Sequence, residues 1–202
     1  MDLREQFGSI DIYLFDQLLK GRITPPMSLL DAGCGEGRNL IYFLRHHFDV
    51  HAVDANPQSV EQVRLLASEL APSLPSQNFL VADVADMPLP GEAFDLVISS
   101  AVLHFANDAK HFDEMLDEMW RVLKVEGMLF ARLASSIGIE KLIEPTGSGR
   151  YLLPDGTERF LVNEEMLSAA TDRLRARKIE PLKTTNVENL RCMTTWVVRK
   201  TI

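Results

Sequence analysis

Short apolar segments alternate with amphipathic helices between residues 27 and 133, and this alternation constrains the fold more than any other feature. The apolar segments cover 27–32, 50–53, 78–81, 94–98 and 127–133, and the helices cover 38–47, 57–70 and 109–123. Strands that alternate with helices form βαβ units, whose parallel strands are buried on both faces. The pattern therefore predicts an α/β fold with a doubly wound, mostly parallel sheet.

The C-terminal segment departs from this pattern. Residues 163–174 predict a helix, and two strands follow at 179–187 and 190–200. Only Glu188 and Asn189 separate these strands, so they must pair antiparallel. We therefore expect a seven-stranded sheet that is parallel through its first five strands and ends in an antiparallel hairpin.

The remaining segments are predicted to belong to the same domain, which would span residues 1–202. Apolar side chains recur at helical spacing within 1–26, so we expect one N-terminal helix there. Residues 137–161 form an insertion, in which Asp155-Gly156 predicts a small hairpin or loop. A chain of 202 residues, 46% of them hydrophobic, has the size and composition of a single folded domain.

Composition excludes several classes of function. The formal net charge is −8 and no Lys/Arg-rich run is present, so we expect no nucleic-acid partner. Cys34 and Cys192 lie far apart without a CxxC pattern, which argues against a zinc site or a disulfide framework, and we expect no metal. No long apolar run suggests a signal peptide or a membrane span, so we expect a cytoplasmic protein. The sequence carries no signal for oligomeric state.

A glycine-rich turn follows the first predicted strand, in the segment LLDAGCGEGRN at 29–39. Glycine lets the backbone turn tightly and lets a ligand approach the main chain closely. Ligands of doubly wound sheets bind at the carboxyl ends of the strands, where this turn lies. The turn thus predicts a binding site, although a strand-to-helix turn without a ligand would explain the glycines alone.

Acidic residues end the next two strands. Asp54 lies 21 residues after Gly33 and could accept hydrogen bonds from both ribose hydroxyls of a nucleoside, or it could cap the helix that begins at Pro57. Asp83 and a neighbouring backbone N–H could read adenine, although Asp86 is an alternative for this role. Three consecutive strand ends with suitable groups indicate a nucleoside-containing ligand.

These motifs, in this order, resemble those of the class I S-adenosylmethionine (SAM)-dependent methyltransferases. The resemblance covers residues 27–133 and rests on LLDAGCGEGRN, VHAVDANPQSV, VADVADMPLP, FDLVISSAVLHF and WRVLKVEGMLFARL. It implies a Rossmann-like fold, SAM as cofactor and S-adenosylhomocysteine (SAH) as product. The pair Arg38-Asn39 is similar to that of the tellurite-resistance methyltransferases, in which it would face the methionine carboxylate.

The resemblance also implies which residues bind the cofactor. The glycine turn would hold the methionine portion, Asp54 the ribose, and Ala55, Asp83 and Val84 the adenine, while Ser99, Ser100 and their neighbours would lie beside the transferring methyl group. The full predicted cofactor set is Asp31, Gly33, Cys34, Gly35, Arg38, Asn39, Asp54, Ala55, Asp83, Val84 and Ser99.

Candidates for the acceptor side come from the rest of the chain. His104 follows the fourth strand and could act as general base, or it could be a packing histidine. The candidate acceptor contacts are Tyr13, Arg150, Tyr151, Arg159 and Arg191, and we expect the insertion to lie near the acceptor site. Arg150 and Arg159 flank the Asp155-Gly156 turn and could attract an anionic acceptor, unless they are ordinary surface arginines.

We therefore expect in-line methyl transfer from SAM to a small-molecule acceptor. Orientation of the acceptor alone can contribute about 7–11 kcal/mol to such a reaction. One alternative is a SAM-binding regulatory or partner subunit without turnover. A nicotinamide-dependent oxidoreductase is the other, but its G-x-G-x-x-G pattern would need glycine where Arg38 stands, and Glu36 would repel a pyrophosphate.

Overall fold

The computed structural model describes residues 2–201, so Met1 and Ile202, which the predicted domain included, lie outside the described residues. The helices are α1 (Leu3–Phe7), α2 (Ile12–Leu19), α3 (Ile41–Arg45), α4 (Pro57–Leu70), α5 (Ala109–Val122) and α6 (Glu164–Arg173). None of these helices has both the length and the apolar character that a membrane crossing requires.

The strands number eleven within the described chain. They are β1 (Ser28–Ala32), β2 (Asp49–Asp54), β3 (Phe79–Val81), β4 (Phe94–Ser100), β5 (Leu123–Ser135), β6 (Glu144–Gly147), β7 (Arg150–Leu152), β8 (Glu158–Phe160), β9 (Ala176–Lys178), β10 (Lys183–Val187) and β11 (Arg191–Lys200). Short 3-10 turns at Ser76–Asn78 and Leu103–Phe105 precede β3 and follow β4.

The central sheet has the order β10-β11-β5-β4-β1-β2-β3. The five strands from β1 to β5 run parallel, whereas β11 pairs antiparallel with β5. The chain winds from β1 outward to β3 and then returns to β4 on the other side of β1, so the strand order reverses between β1 and β4. The predicted α/β class, the mostly parallel sheet and the antiparallel ending are confirmed.

Apolar side chains cover both faces of this sheet. All five residues of β1 are buried, as a central parallel strand requires. One core contains Leu30, Val97 and the apolar side of α5, and the other contains Leu29, Leu96 and Phe43 of α3. Neighbouring residues of a strand thus serve opposite layers, and helices packed on both sides hold the carboxyl ends of the strands in register.

The predicted C-terminal hairpin consists of β10 and β11, but the strand expected at 179–187 begins only at Lys183, and β9 is an additional short strand just before the predicted range. β9 pairs with the end of β11, and β10 pairs with its beginning. Pro181 lies between β9 and β10 and has no N–H to donate to a ladder, which explains the interruption. The sheet therefore has eight strands where the sequence predicts seven, because β9 and β10 both pair with β11 along the same edge.

The single N-terminal helix predicted within 1–26 is wrong, because two short helices occupy this segment. Gly8 ends α1 with a φ of +59°, and Asp11 begins α2 by accepting a hydrogen bond from the Tyr13 amide. A Cβ at Gly8 would lie 2.5 Å from Ile41 Cδ1, so close packing on α3 requires glycine at the break. The apolar periodicity continues through the break and conceals it.

The insertion at 137–161 contains a small sheet of its own. The predicted hairpin is formed by β7 and β8, and β6 adds a third strand that the sequence did not indicate. Arg150 Nη1 donates a 2.6 Å hydrogen bond to the Ala106 carbonyl, and the rings of Phe112 and Phe160 stack with centroids 5.3 Å apart. The small sheet is thus attached to the region that follows β4.

An ion-pair cluster ties α2 to the segment before β10. Glu180, whose side chain is buried, pairs with Lys20 at 2.5 Å, with Lys183 at 2.9 Å and with Arg22. These three cations, led by Lys20, lower the pKa of Glu180 from 4.5 to about 2. A carboxyl whose pKa falls on folding stabilises the folded state above its unfolded pKa, and this stabilisation is lost as the pH falls toward 2.

Glu180→Gln is expected to lower the free energy of unfolding by about 2 kcal/mol at pH 7, because it leaves three cations without their shared carboxylate. The difference from the wild type should shrink by more than half between about pH 5 and pH 3, because the Glu180 carboxyl of the unfolded chain gains its proton there while the folded one, with a pKa of about 2, stays mostly ionised. Urea unfolding at several pH values measures this. Glu61→Gln removes only an exposed pair with Arg64 and should change stability by less than about 0.5 kcal/mol; equal losses in both variants would contradict the account.

Candidate active site

A cavity of about 530 Å³ lies at the carboxyl ends of β1 to β4, where the strand order reverses. Its volume is within the range of about 300–1,000 Å³ that is usual for small-molecule sites. Nine of the predicted cofactor residues line this cavity, namely Gly33, Cys34, Gly35, Arg38, Asn39, Asp54, Ala55, Asp83 and Val84. The structure therefore brings the three strand ends into one site.

The glycine turn is held by hydrogen bonds to the neighbouring strand. The amides of Gly33 and Cys34 both donate to the Val53 carbonyl, at 2.8 and 3.0 Å. Gly33 has a φ of +82°, and a Cβ there would lie 2.5 Å from Val102 Cγ2. Gly35 has a φ of +52°, but a Cβ there would meet no protein atom within 4 Å. Packing requires Gly33, whereas Gly35 leaves open the space that a ligand would fill.

Asp54 connects the turn to the end of β2. Its Oδ2 accepts a 2.8 Å hydrogen bond from the Gly35 amide, and its Oδ1 accepts a 2.9 Å bond from the Asn56 amide. The helix cap that the sequence offered as an alternative role belongs to Asn56, whose side chain accepts from the Gln58 amide. Each carboxylate oxygen of Asp54 retains a lone pair, so the side chain can still accept two ligand hydroxyls.

Asp83 and Val84 form the opposite side of the cavity, beyond β3. Asp83 Oδ1 accepts a 2.8 Å hydrogen bond from the Ala85 amide, which fixes the turn and leaves Oδ2 for a ligand. Val84 is buried and offers an apolar surface to a flat ring. Asp86, the alternative to Asp83, does not line the cavity.

Arg38 and Asn39 join the glycine turn to the N-terminal segment. Arg38 Nη2 donates to Ser100 Oγ at 2.8 Å and lies 3.9 Å from Asp11 Oδ2. Asn39 is buried, and its Oδ1 accepts a 3.0 Å hydrogen bond from the Asp11 amide. Asp11 thus contacts both members of the predicted pair.

Asp31 and Ser99, the other predicted cofactor residues, lie behind the cavity wall. Both are buried, and Asp31 Oδ2 and Ser99 Oγ have no hydrogen-bond partner within residues 2–201. Burial, opposed by the charge of Arg38, raises the pKa of Asp31 to about 7. The predicted cofactor contacts Asp31 and Ser99 are therefore not among the residues that line the cavity.

The sequence interpretation missed the wall on the α5 side. Phe105, His111 and Met115 line the cavity there. His111 and Met115 belong to an amphipathic helix whose apolar face predicts only core packing. The available signal was position, because a helix that follows a parallel strand begins near the carboxyl edge of the sheet.

A second cavity, of about 400 Å³, adjoins the first, and Arg38 and Ala101 line both. Arg132 of β5, Arg159 of β8 and Arg191 of β11 contribute guanidinium groups to its wall. Arg132, which the sequence pattern placed in a buried strand, pairs with Asp11 Oδ2 at 3.1 Å. The molecule therefore has two adjoining chambers, one at the glycine turn and one rich in arginine.

His104 lines the second cavity as a buried histidine. Burial, together with the nearby charge of Arg159, lowers its pKa to about 4, so the ring is neutral at pH 7. Its Nδ1 accepts a 3.2 Å hydrogen bond from the Ala134 amide, which leaves the ring proton on Nε2. The lone pair that a general base needs is therefore engaged, and the geometry favours His104 as a hydrogen-bond donor.

Of the five predicted acceptor contacts, only Arg159 and Arg191 line the second cavity. Tyr13 lies behind it, where its hydroxyl bonds Thr185 Oγ1 at 2.8 Å and Arg132 packs over its ring. Arg150 faces the Ala106 carbonyl, and Tyr151 packs against a small apolar cluster around Ile139. Strand alternation separates Arg150, the register partner of Phe160, from Arg159, whereas Tyr151 is the register partner of Arg159 and lies on the same face of the small sheet.

Metal binding would need a cluster of His, Cys, Asp or Glu side chains next to the two cavities, and nucleophilic chemistry would need a reactive thiol such as that of Cys34. Among residues 2–201, no group of three or more His, Cys, Asp or Glu side chains is placed to hold a metal ion. Cys34 lines the first cavity, and burial raises the pKa of its thiol, so it is held as a protonated, unreactive side chain.

Comparison with known proteins agrees with this geometry. The profile of a family described as a methyltransferase domain matches residues 30–131. An uncharacterised methyltransferase of Bacillus subtilis is 31% identical over 127 residues, which are 63% of this chain and 48% of that protein. A malonyl-[acyl-carrier protein] O-methyltransferase of Halorhodospira halophila is 34% identical over 139 residues, which are 66% of this chain and 43% of that protein.

A solved structure extends the similarity over most of the chain. The SAM-dependent methyltransferase of Methanosarcina mazei matches with a TM-score of 0.73 and 18% identity, covering 92% of this chain and 97% of that one. At this identity the match shows a shared fold. This chain spans less than half the length of the two curated relatives, so similarity to them concerns one part of each.

Gly35→Ala is expected to leave the protein folded and to weaken SAH binding about tenfold or more, because the new methyl group would stand in the open part of the first cavity. The left-handed backbone should cost about 1–2 kcal/mol of stability. Thermal unfolding and calorimetric titration with SAH measure the two effects separately.

Gly21→Ala is the matched control for this prediction. Gly21 has a φ of +66°, its Cβ position is also open, and it does not line the cavity. It should lose similar stability but keep its affinity for SAH. If the two alanine variants bound SAH equally well, Gly35 would not be part of the ligand site.

Proposed function

We infer the activity of this chain from its family: it belongs to the class I SAM-dependent methyltransferases, whose cofactor is S-adenosylmethionine. We propose that it transfers a methyl group from SAM to a small-molecule acceptor by direct in-line displacement. One observation carries the proposal, namely that the nucleoside-type cavity at the glycine turn adjoins a second cavity, with which it shares Arg38 and Ala101 as lining residues.

The residues of the first cavity fit this cofactor. Gly35 leaves room for a ligand against the main chain, and Asp54 has lone pairs for two hydroxyls. Val84 and Met115 supply apolar surface for an adenine ring. A cavity that joins an acid pair, apolar walls and a glycine turn suits a nucleoside with a zwitterionic tail.

We assign roles to these residues on that basis. Asp54 accepts the ribose hydroxyls, and Asp83, with the Val84 amide, recognises the adenine edge. The glycine turn and Asn39 line the methionine end, and Arg38 pairs with its carboxylate while it remains bonded to Ser100. Ser100, at the end of β4, lines the first cavity next to Ala101, and Ser99 lies buried behind it.

Bound SAM supplies a methyl group on a sulfonium, whose displacement expels a neutral thioether. The chain itself must hold the acceptor in line with the carbon–sulfur bond of the sulfonium. It must also exclude water from the region where the two cavities adjoin. Ala101 lies where the two cavities adjoin and has a φ of +67°. Its amide donates to the Arg132 carbonyl at 2.7 Å. Strained backbone of this kind is retained where geometry is functional.

The acceptor would occupy the second cavity. Four residues of the insertion, Leu153, Asp155, Thr157 and Arg159, line it, which supports a single domain whose insertion completes the acceptor site. The Halorhodospira relative is described as acting on a malonyl group carried by a protein. A small acceptor, free or attached to a carrier, fits a chamber of about 400 Å³.

We also propose a family subgroup and a cellular compartment for this chain. The Arg38-Asn39 pair supports the similarity to the tellurite-resistance group, and thiols or metalloid oxyanions therefore belong in an acceptor screen. Cys34 and Cys192 are both buried, free thiols, which supports a reducing compartment such as the cytoplasm.

Transfer of labelled methyl from SAM to a mixture of small-molecule acceptors tests the proposed activity. The wild type should label a product, and Asp54→Ala should lower kcat/KM for SAM about tenfold to hundredfold, because it removes hydrogen bonds to both the cofactor and the Gly35 amide. Asp49→Ala is the control, since Asp49 lies exposed at the other end of β2.

Two results would contradict the proposal. Equal transfer by Asp54→Ala and Asp49→Ala would show that the cavity at the glycine turn is not the cofactor site. Tight binding of SAH without transfer to any acceptor class would instead favour a SAM-binding subunit without turnover.

A further inference from the structure

The second cavity is strongly basic in a chain of formal net charge −8. Arg38, Arg132, Arg159 and Arg191 line it, and Asp155 is the one acidic residue of its wall. Guanidinium groups bind oxyanions through paired, charge-assisted hydrogen bonds. Four of them around a chamber of about 400 Å³ indicate an anionic occupant.

The chain neutralises these arginines only in part. Asp11, which lies behind the wall, pairs with Arg132 at 3.1 Å and reaches Arg38 only at 3.9 Å. Asp155 approaches Arg191 at 3.5 Å. Arg159 has no carboxylate within 4 Å among residues 2–201, and its guanidinium lies 5.0 Å from the Phe105 ring centroid. Its Nη1 donates to the Glu158 carbonyl at 2.7 Å, and the remaining donors of its guanidinium are available to a ligand.

The same wall lacks a free general base. His104 has its Nδ1 lone pair engaged by the Ala134 amide and carries its proton on Nε2. Asp155 Oδ1 accepts from both the amide and the hydroxyl of Thr157, and its other oxygen faces Arg191. No Lys, Glu or Tyr side chain lines the cavity. An amine or hydroxyl acceptor, which must lose a proton, would find no partner to take it.

We propose that the acceptor is a small carboxylic acid, methylated on its carboxylate. This inference rests on the proposed methyl transfer and adds its substrate class. A carboxylate is already ionised at neutral pH, so it needs no base, and arginines such as Arg159 and Arg191 select it over neutral analogues. The Nε2–H of His104 adds a neutral donor for one carboxylate oxygen.

The step balances without a proton. One carboxylate oxygen forms a bond to the methyl carbon while the carbon–sulfur bond of the sulfonium breaks, and the electron pair of that bond returns to sulfur. The products are a methyl ester and SAH, both uncharged at the reacting atoms. A single tight ion pair would lower the nucleophilicity of the carboxylate oxygen. Several weaker contacts to guanidinium groups bind the carboxylate with a smaller loss of nucleophilicity.

Binding is the first arm of the test. Calorimetry with benzoate and succinate, each matched by its amide, is performed on the protein alone and with saturating SAH. The acids should bind and the amides should not. Arg159→Gln and Arg191→Gln should each weaken acid binding about tenfold or more, and Arg159→Lys, which keeps the charge, should lie between. Arg177→Gln removes the same charge from an exposed position of β9 and should have no effect.

Product chemistry is the second arm. Wild-type protein with methyl-labelled SAM and a mixed panel of carboxylic acids, amines and thiols should yield label that mild alkali releases as methanol, as a methyl ester does. Thermal unfolding of each variant establishes that it is folded.

The outcomes separate the inference from the activity on which it rests. Equal binding of acids and amides, no effect of Arg159→Gln and Arg191→Gln, or label held in an alkali-stable product would overturn the carboxylate assignment while methyl transfer stands. If SAH did not bind the wild type, the proposed activity would fail, and the measurements without SAH would still report whether the cavity selects carboxylates.

Discussion

The hydrogen bond from the Gly35 amide to Asp54 fixes the position of the glycine turn against the second strand. Together with the two amides that donate to the Val53 carbonyl, it holds a loop of three left-handed glycines open toward the cavity. The rest of the site follows, because the turn sets where α3 begins and therefore where Arg38 and Asn39 lie. The Asp54 carboxylate thus both fixes the loop and lines the cavity. The shape of the site and the binding of a nucleoside therefore depend on the same side chain.

A second group of contacts joins the two cavities. Asp11 caps α2, accepts from Arg132, lies near Arg38 and donates its amide to Asn39. The N-terminal helices are thereby attached to residues that line the first and the second cavity. Arg38 itself lines both chambers.

The residues that line the first cavity could be predicted from the sequence more fully than those that line the second, for physical reasons. Central parallel strands need continuous apolar runs, and tight turns need glycine, so β1 to β5 and the turn at Gly33 leave local signals. The break at Gly8 depends on contact with Ile41, and the second cavity depends on Arg132, Arg159 and Arg191 meeting from three strands. Such meetings are set by register and side-chain direction across distant segments. The sequence likewise does not predict that His111 and Met115 line the first cavity, because the same face of α5 can pack into the core and border a cavity.

Calorimetric titration of the unmodified protein with SAH, and separately with NAD, tests the central claim most directly. The claim is that the ends of β1, β2 and β3 form one site for a nucleoside that carries a sulfur-linked amino acid. The account predicts saturable SAH binding at a single site and no detectable heat from NAD. Tight NAD binding without SAH binding would contradict it, because Arg38 and the glycine turn would then be holding a pyrophosphate instead.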